Sequence, residues 1–406
     1  MRAQGTRPLA CAIGNIDVVQ ALGVAGIRSA VMARPGSPSR YSRFTAAVLD
    51  YVDPWEHAEE FVARLTGFGT AQPEKPVLFY SADSDLLAVS RFRERLGEAF
   101  RFVVANPTLV EDLVDKARFQ TLAERLDLPV PNGQALSPRT GEEPVEVNLR
   151  FPLILKPLTR HHETWRPLTR AKAKVIRSAE ELRQLWPRLA ELQVDVLLQE
   201  LVAGPESLIE SYHAYVDESG QTVAEFTGKK IRTYPSECGY STALEITDTA
   251  DVAALGRALS ERLGIRGVSK FDFKRGAEGE LRLLEINPRF NLWHHPAARA
   301  GVNLPALVYA DLVGLPRARK PRARAGVRWC SLRHDFQAAR DEGIGFLAWF
   351  RWMLRCEVKS PFAWRDPLPF LLGTLHRPAG LAKRSLRRAR PRAELNAQMQ
   401  DRIREN

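Results

Sequence analysis

The chain has 406 residues, 45% of them hydrophobic and 26% charged, the make-up of a globular protein with room for two or three domains. The net charge is +11, but residues 381–406 alone hold eight Lys/Arg against three Asp/Glu, so the excess does not mark the folded body as a nucleic-acid binder. Four scattered cysteines (Cys11, Cys238, Cys330, Cys356) argue against a disulfide framework or a zinc site and point to a reducing compartment; no run is apolar enough for a signal peptide or a bilayer span.

Residues 1–106 alternate strand and helix signals. Strand-like runs at 8–13, 27–32, 47–52, 77–80 and 102–104 enclose helix-like runs at 17–25, 54–65 and 83–96. That order predicts an open parallel α/β sheet. The turn Gly14-Asn15-Ile16-Asp17 lacks the full G-x-G-x-x-G pattern, so the region reads as a Rossmann-like support or substrate-side lobe in preference to a dinucleotide site.

A helix is expected from 107 to about 126, ended by Pro129, Pro131 and Gly133. A strand at 151–157 carries Lys156 in an apolar run. A charged loop over 159–172 leads to a helix at 178–192 and a strand at 195–200. Strands at 207–216 and 222–226 precede a cationic strand with Lys229, Lys230 and Arg232. A helix at 250–263 precedes two strands, 270–275 and 283–290, joined by the turn-like segment 276–279. Residues 345–356 read as a helix with Phe346, Trp349, Phe350 and Met353 on one face and Arg351 and Arg355 elsewhere.

The hairpin around 272–289 is the most informative feature. Glu285 and Asn287 are two apart and face the same way from a strand, and Asp272 can lie opposite them. Two carboxylates and an amide oxygen suit a Mg²⁺ that already carries phosphate. Arg289 continues that face as a fixed cation for a phosphoryl group or a substrate carboxylate. Lys156, on an apolar strand, needs an anion to offset its desolvation.

Lys116, Lys156, the segment 199–204 and Asp272/Glu285/Asn287/Arg289, in that order, resemble the ATP-grasp superfamily over roughly residues 105–315. The local wording looks most like carboxylate–amine ligases related to D-aspartate ligase and the carbamoyl phosphate synthase large subunit: Tyr41-Ser-Arg43, Ser81-Ala-Asp-Ser-Asp85, 228–232 and 301–305. The resemblance implies a mixed α/β and α+β protein. It would have a Rossmann-like lobe (1–106), a two-lobed ATP-grasp domain (107–320, lid about 150–200) and a mostly helical, basic C-terminal region (321–406). It implies ATP and Mg²⁺ as cofactors, with Mn²⁺ as a substitute, and amide formation from a small-molecule carboxylate and an amine. Ligation to a thiol, carboxyphosphate chemistry and a silent nucleotide-binding scaffold are the alternatives.

Residue roles follow from that likeness. Lys156, Lys230 and Arg289 are the expected catalytic cations, and Asp272, Glu285 and Asn287 the metal ligands. Lys116 is a nucleotide contact or a surface partner of Asp115. At the end of the 195–200 strand, Gln199, Glu200, Leu201 and Val202 would read the adenine edge and pack on the base. Glu206 would meet the ribose or its surroundings. Lys229, Lys230 and Arg232 hold the triphosphate or an anionic substrate, or form a solvated edge strand.

The loop after Lys156 departs from the common glycine-rich pattern. There Arg160, His161 and His162 either replace backbone amides as phosphate contacts or stand exposed. Asn291, Trp293, His294 and His295 are expected to border the acceptor pocket. The aromatic and basic C-terminal region either lies in a membrane interface or packs on the N-terminal lobe or a second subunit. The expected setting is cytoplasmic, free or at the inner face of the membrane, without a specific nucleic-acid partner.

Overall fold

The computed structural model describes residues 7–140, 147–158, 165, 172–317 and 320–375. In the N-terminal lobe, β1 (Ala10–Ile13), β2 (Ser29–Ala33), β3 (Thr45–Asp50) and β4 (Val77–Phe79) form a parallel sheet of order β3-β2-β1-β4. The strands β1, β2 and β4 are buried along their whole length, as parallel strands covered on both faces must be. The covering helices are α1 (Ile16–Val24), α2 (Ala58–Thr70), α3 (Asp83–Arg91) and α4 (Arg93–Ala99). Asn15 starts α1 by accepting the Asp17 N–H at 2.9 Å. The expected helix over 83–96 breaks at Phe92, where Arg93 turns back to donate to the Ser90 carbonyl at 2.9 Å. The expected strand at 102–104 does not form. Arg101 makes a single bridge to Val77, and the Val103 carbonyl accepts from the Tyr80 hydroxyl at 2.7 Å.

The helix expected over 107–126 is two helices, α5 (Pro107–Val114) and α6 (Lys116–Arg125). The cause is Asp115. Its carboxylate accepts from the N–H groups of Ala117 and Arg118 at 2.9 Å each, so it caps a new helix instead of pairing with Lys116. Next comes a small antiparallel sheet of order β5-β8-β6-β7: β5 (Gly133–Leu136), β6 (Leu153–Pro157), β7 (Lys174–Ile176) and β8 (Val196–Glu200). The helix α7 (Ala179–Glu191) packs on it through Leu182, Trp186 and Leu189.

The largest sheet has seven strands in the order β13-β12-β9-β10-β11-β14-β15. Its elements are β9 (Ile209–Val216), β10 (Thr222–Tyr234), β11 (Tyr240–Thr247), α8 (Ala250–Arg262), β12 (Gly267–Arg275), β13 (Leu281–Asn287), α9 (His294–Arg299), α10 (Leu304–Leu312), β14 (Arg328–Ser331), α11 (Leu332–Asp341), α12 (Phe346–Arg355), β15 (Val358–Ser360) and α13 (Leu368–Leu375). The two strands expected over 222–234 are one, β10. A shared core joins this sheet to the N-terminal lobe: Val18, Val31 and Phe79 pack with Phe226, Leu244, Trp293 and Trp329.

Among the described residues, the C-terminal region adds β14 and β15 to the sheet besides three helices. It also packs on the N-terminal lobe, where buried Asp366 accepts from the Ser42 hydroxyl and from the Arg43 N–H at 2.8 Å. Trp349 turns inward and donates to Asp335 at 3.0 Å, so the outward stripe of α12 is Phe346, Leu347, Phe350 and Leu354. Among the described residues no helix is long and apolar enough to cross a membrane.

Candidate active site

The register of three strands builds the site. On β12 and β13, Asp272 lies opposite Glu285 and Lys270 opposite Asn287. On the other side, β9 sets Ser211 opposite Asp272 and His213 opposite Lys270. Opposed residues share a face. One row therefore runs Glu285–Asp272–Ser211 and the next Asn287–Lys270–His213. Glu285, Asp272 and Asn287 all line a cleft of about 200 Å³ between the small sheet and the large one.

Asp272 is 1% exposed and strongly supported. Its Oδ1 accepts from the Ser211 hydroxyl. Its Oδ2 lies 2.6 Å from the Lys270 ammonium and 3.6 Å from that of Lys230. Burial works against both lysines. For Lys230 the carboxylates of Asp272, Glu285 and Glu206 outweigh it and hold the group above the usual lysine range. For Lys270 burial prevails, with Lys230 adding repulsion, and its affinity for the proton falls below that range. Lys270 escaped the sequence reading, although the signal was present: it is two residues before Asp272, hence on the same strand face.

The opposite wall comes from the small sheet and α6. The Lys156 ammonium donates to Gln199 Oε1 at 2.8 Å, and Gln199 Nε2 donates to Gln120 Oε1 at 3.1 Å. Gln199 thus holds Lys156 in place across the β6–β8 ladder. Lys116, at the first position of α6, donates to the Leu158 carbonyl at 3.3 Å and lines the cleft with Glu206. Trp165, Lys172 and Tyr240 also line it. Trp165 Nε1 donates to the Lys172 carbonyl at 3.1 Å, and the Lys172 ammonium sits 3.7 Å from the Tyr240 ring centre. Nothing in the sequence pattern singles out these three.

Arg289 bridges the lobes. It donates to Asp83, to the Ser81 carbonyl at 3.1 Å and to Asn287 Oδ1 at 3.0 Å. Asn287 Nδ2 donates to Glu285 Oε1 at 3.1 Å. This chain fixes the amide orientation and ties the end of β13 to the loop that precedes α3.

Four expected nucleotide contacts stand elsewhere. Arg232 does not share a face with Lys230. A bulge in the β10–β11 ladder lets two residues of β10 oppose one of β11, and the alternation breaks. The Arg232 guanidinium instead grips buried Asp335 on α11 at 2.8 and 2.7 Å. Lys229 points to the other face, half-exposed, with its ammonium 3.7 Å from Glu245. The Glu200 carboxylate takes Asn132 at 3.1 Å and Arg150 at 3.1 and 3.3 Å, which offset its burial and hold it below the usual carboxylate range. The Glu200 and Leu201 amides donate to the Asn132 and Pro152 carbonyls at 2.9 and 3.1 Å, so neither amide faces a base. Of that tripeptide only Val202 keeps its N–H without a partner among the described residues. Arg160, His161 and His162 lie outside the described residues.

Asn291, Trp293, His294 and His295 do not line the cleft; all four are buried. Trp293 lies over Gly228, where a Cβ would run into its ring. Burial drives His294 down to about 3 and His213 well below the usual imidazole range, so both are neutral packing groups.

Among the described residues no group of three or more His, Cys, Asp or Glu gathers in one place. Two carboxylates and an amide facing an open cleft are too few for a cage of protein ligands. They do suit Mg²⁺, which takes one or two carboxylates and completes its shell with phosphate and water.

A second cavity, of about 580 Å³, opens at the carboxyl ends of the N-terminal strands, between the turns after β1, β2 and β4. Asp85 lies in its wall, accepting the Ala82 N–H at 3.0 Å, and burial lifts its carboxyl to about 6. Ser81 lines the same cavity and gives its carbonyl to Arg289, which also donates to Asp83 in the lining of the first cleft.

Residues 193–334 match the family model described as ATP-grasp in the biosynthetic pathway with Ter operon. The chain is 23% identical to D-aspartate ligase from Enterococcus faecium (strain Aus0004) over 290 residues, 68% of each chain. It is 29% identical to D-alanine–D-alanine ligase from Ectopseudomonas mendocina (strain ymp) over 224 residues, which cover 51% of this chain and 66% of that one. In fold it is similar to N5-carboxyaminoimidazole synthetase from Staphylococcus aureus, with a TM-score of 0.62 and 12% identity over 84% of this chain and 86% of that one. The ordered residue set, the two facing sheets and these likenesses agree: residues 193–334 carry an ATP-grasp match, and the chain is similar to carboxylate–amine ligases of that superfamily.

Proposed function

We propose that the protein is an ATP-dependent carboxylate–amine ligase. One observation carries this reading: Lys156 and Lys230 line a single cleft with Asp272, Glu285 and Asn287, and the Lys270 ammonium lies 2.6 Å from Asp272. A carboxylate oxygen of the first substrate attacks the γ-phosphorus of ATP. The bond to the β-phosphate oxygen breaks, and ADP leaves with an acyl phosphate behind. The amine then attacks the acyl carbon, the C–O bond to phosphate breaks, and the ammonium proton passes to solvent. Asp272, Glu285 and Asn287 would hold Mg²⁺, which would supply charge neutralisation on the phosphates when nucleotide is bound.

The side chains do the positioning. Lys156 reaches the phosphates from the small sheet, held by Gln199. Lys230 and Lys270 offset charge from the large sheet. Arg289 fixes Asn287 and the loop of Ser81 and Asp83 beside the transfer site. Lys116, Val202 and Glu206 are assigned to the nucleotide. The small sheet acts as the lid that keeps water from the acyl phosphate. The cavity of the N-terminal lobe takes one of the two small substrates, because Ser81 in its lining is hydrogen-bonded to Arg289 and it lies where open α/β sheets bind ligands.

Purified protein with Mg·ATP and pooled amino acids and carboxylates should release ADP and phosphate, with the product amide seen by mass spectrometry. Nucleotide binding without turnover in any pool would favour a silent scaffold.

A second observation bears on where the enzyme works. The helix α12 turns Leu347 and Leu354 outward, 67% and 59% exposed, beside exposed Phe346 and Phe350, with Arg351 and Arg355 along the same side. This is the make-up of an interfacial helix. On this reading the enzyme works in the cytoplasm against an anionic inner leaflet. Flotation with phosphatidylglycerol vesicles, lost in Leu347→Glu/Leu354→Glu, would support this. Equal recovery with zwitterionic vesicles, or self-association through the same face, would oppose it.

A further inference from the structure

A third cavity, of about 460 Å³, lies between α1, α9 and the segment 357–366, and shares no lining residue with the other two. Two buried polar side chains in its lining hold unused hydrogen-bonding capacity. Gln20 is 2% exposed; its Oε1 has no partner, and its Nε2 reaches the Pro361 carbonyl only at 3.5 Å. His295 is buried, and its Nδ1 stands 3.5 Å from Asp17 without a hydrogen bond. A buried polar atom left in this state keeps its desolvation penalty, so the lining favours a polar occupant.

The charges around the cavity are one-sided. Arg43, Arg299, Lys359 and Arg365 line it, and none has a carboxylate partner among the described residues. Its two acids are already engaged. Glu357 pairs with Arg324 at 2.8 Å, and Asp366 is held by Ser42 and the Arg43 N–H. Phe44, Phe362 and Trp364 supply apolar ring surface, and Trp364 is 87% exposed. An apolar wall with a few convergent polar groups is the usual make-up of a small-molecule site.

We propose that this cavity binds a small organic anion. Its carboxylate or phosphate meets Arg299 and Lys359, its flat apolar body lies on Phe44, Phe362 and Trp364, and a hydroxyl or N–H donor reaches Gln20 Oε1. The site is connected to the rest of the molecule. Asp17, next to His295, also accepts from Trp329 at 3.1 Å and Ser360 at 3.2 Å, so the lining ties the N-terminal lobe to the large sheet and to the C-terminal segment. The helix α9 follows the Arg289 turn directly, which makes occupancy a means of stiffening one wall of the catalytic cleft.

The test is calorimetric titration of the full chain with 3-phenyllactate, phenyl phosphate and, as a cationic control, benzylamine, with Mg·ATP titrated separately. One or both anions should bind one to one and benzylamine should not; which anion binds identifies the head group. Arg299→Glu and Lys359→Glu should each weaken the anion at least about tenfold while Mg·ATP binding is unchanged. Arg299 is exposed and makes no ion pair among the described residues, so its reversal leaves the fold intact. Binding by neither anion, equal binding in both variants, or displacement of the anion by ATP would overturn the proposal. The Mg·ATP titration keeps that outcome separate from a failure of the ligase reading.

Discussion

Replacing Asp335 by alanine isolates the most consequential difference between sequence and structure. Asp335 is fully buried and accepts from Arg232 at 2.8 and 2.7 Å, from Trp349 at 3.0 Å and from Thr242 at 3.2 Å. The substitution strands a guanidinium that is only 8% exposed. Removing one member of a buried pair costs about 3–5 kcal/mol, because the remaining charge keeps its desolvation penalty. At a urea slope of about 3 kcal/mol per molar, the unfolding midpoint should fall by roughly 1–2 M. The double variant Arg232→Met/Asp335→Leu removes both charges and should recover most of the loss. Steady-state kinetics in that variant then decide the role of Arg232. If it is structural, KM for ATP stays within about twofold of the parent. A restored midpoint with a KM for ATP raised tenfold or more would place Arg232 at the nucleotide and refute the reasoning.

Glu285→Gln and Lys156→Ala should each cut turnover by at least about 10²-fold with circular dichroism unchanged, as loss of groups that offset transition-state charge requires; near-normal rates in either would contradict the assigned roles. Lys270→Ala should lower kcat more than it raises KM for ATP, because its ammonium sits on Asp272, a proposed metal ligand; an effect on KM alone would make it a binding residue. Asp85, lifted to about 6 from an ordinary 3.8 by burial, favours folding in its protonated form. That contribution is complete below about pH 4 and is lost as the pH rises through 6, a fall on the order of 3 kcal/mol in unfolding free energy. Asp85→Asn should flatten the stability profile over that window, and an unchanged profile would show that Asp85 does not titrate there.

The sequence by itself determined whatever rests on local periodicity. Alternation placed Glu285 and Asn287 on one strand face, and the antiparallel ladder set Asp272 opposite Glu285 as a hairpin allows. The βα alternation of the first hundred residues likewise became the parallel sheet β3-β2-β1-β4. Only the tertiary structure decided where periodicity fails or where partners are distant in sequence. One extra residue in β10 sent Arg232 away from Lys230, and a bulge has no signature in the hydrophobic pattern. Asp115 ended a helix that propensity alone would have continued. Gln199 proved to steer Lys156, 43 residues away, because β6 and β8 are neighbours only in the folded sheet. A side chain's face is a local property of its strand, but its partner is a property of the packing, and the site needs both.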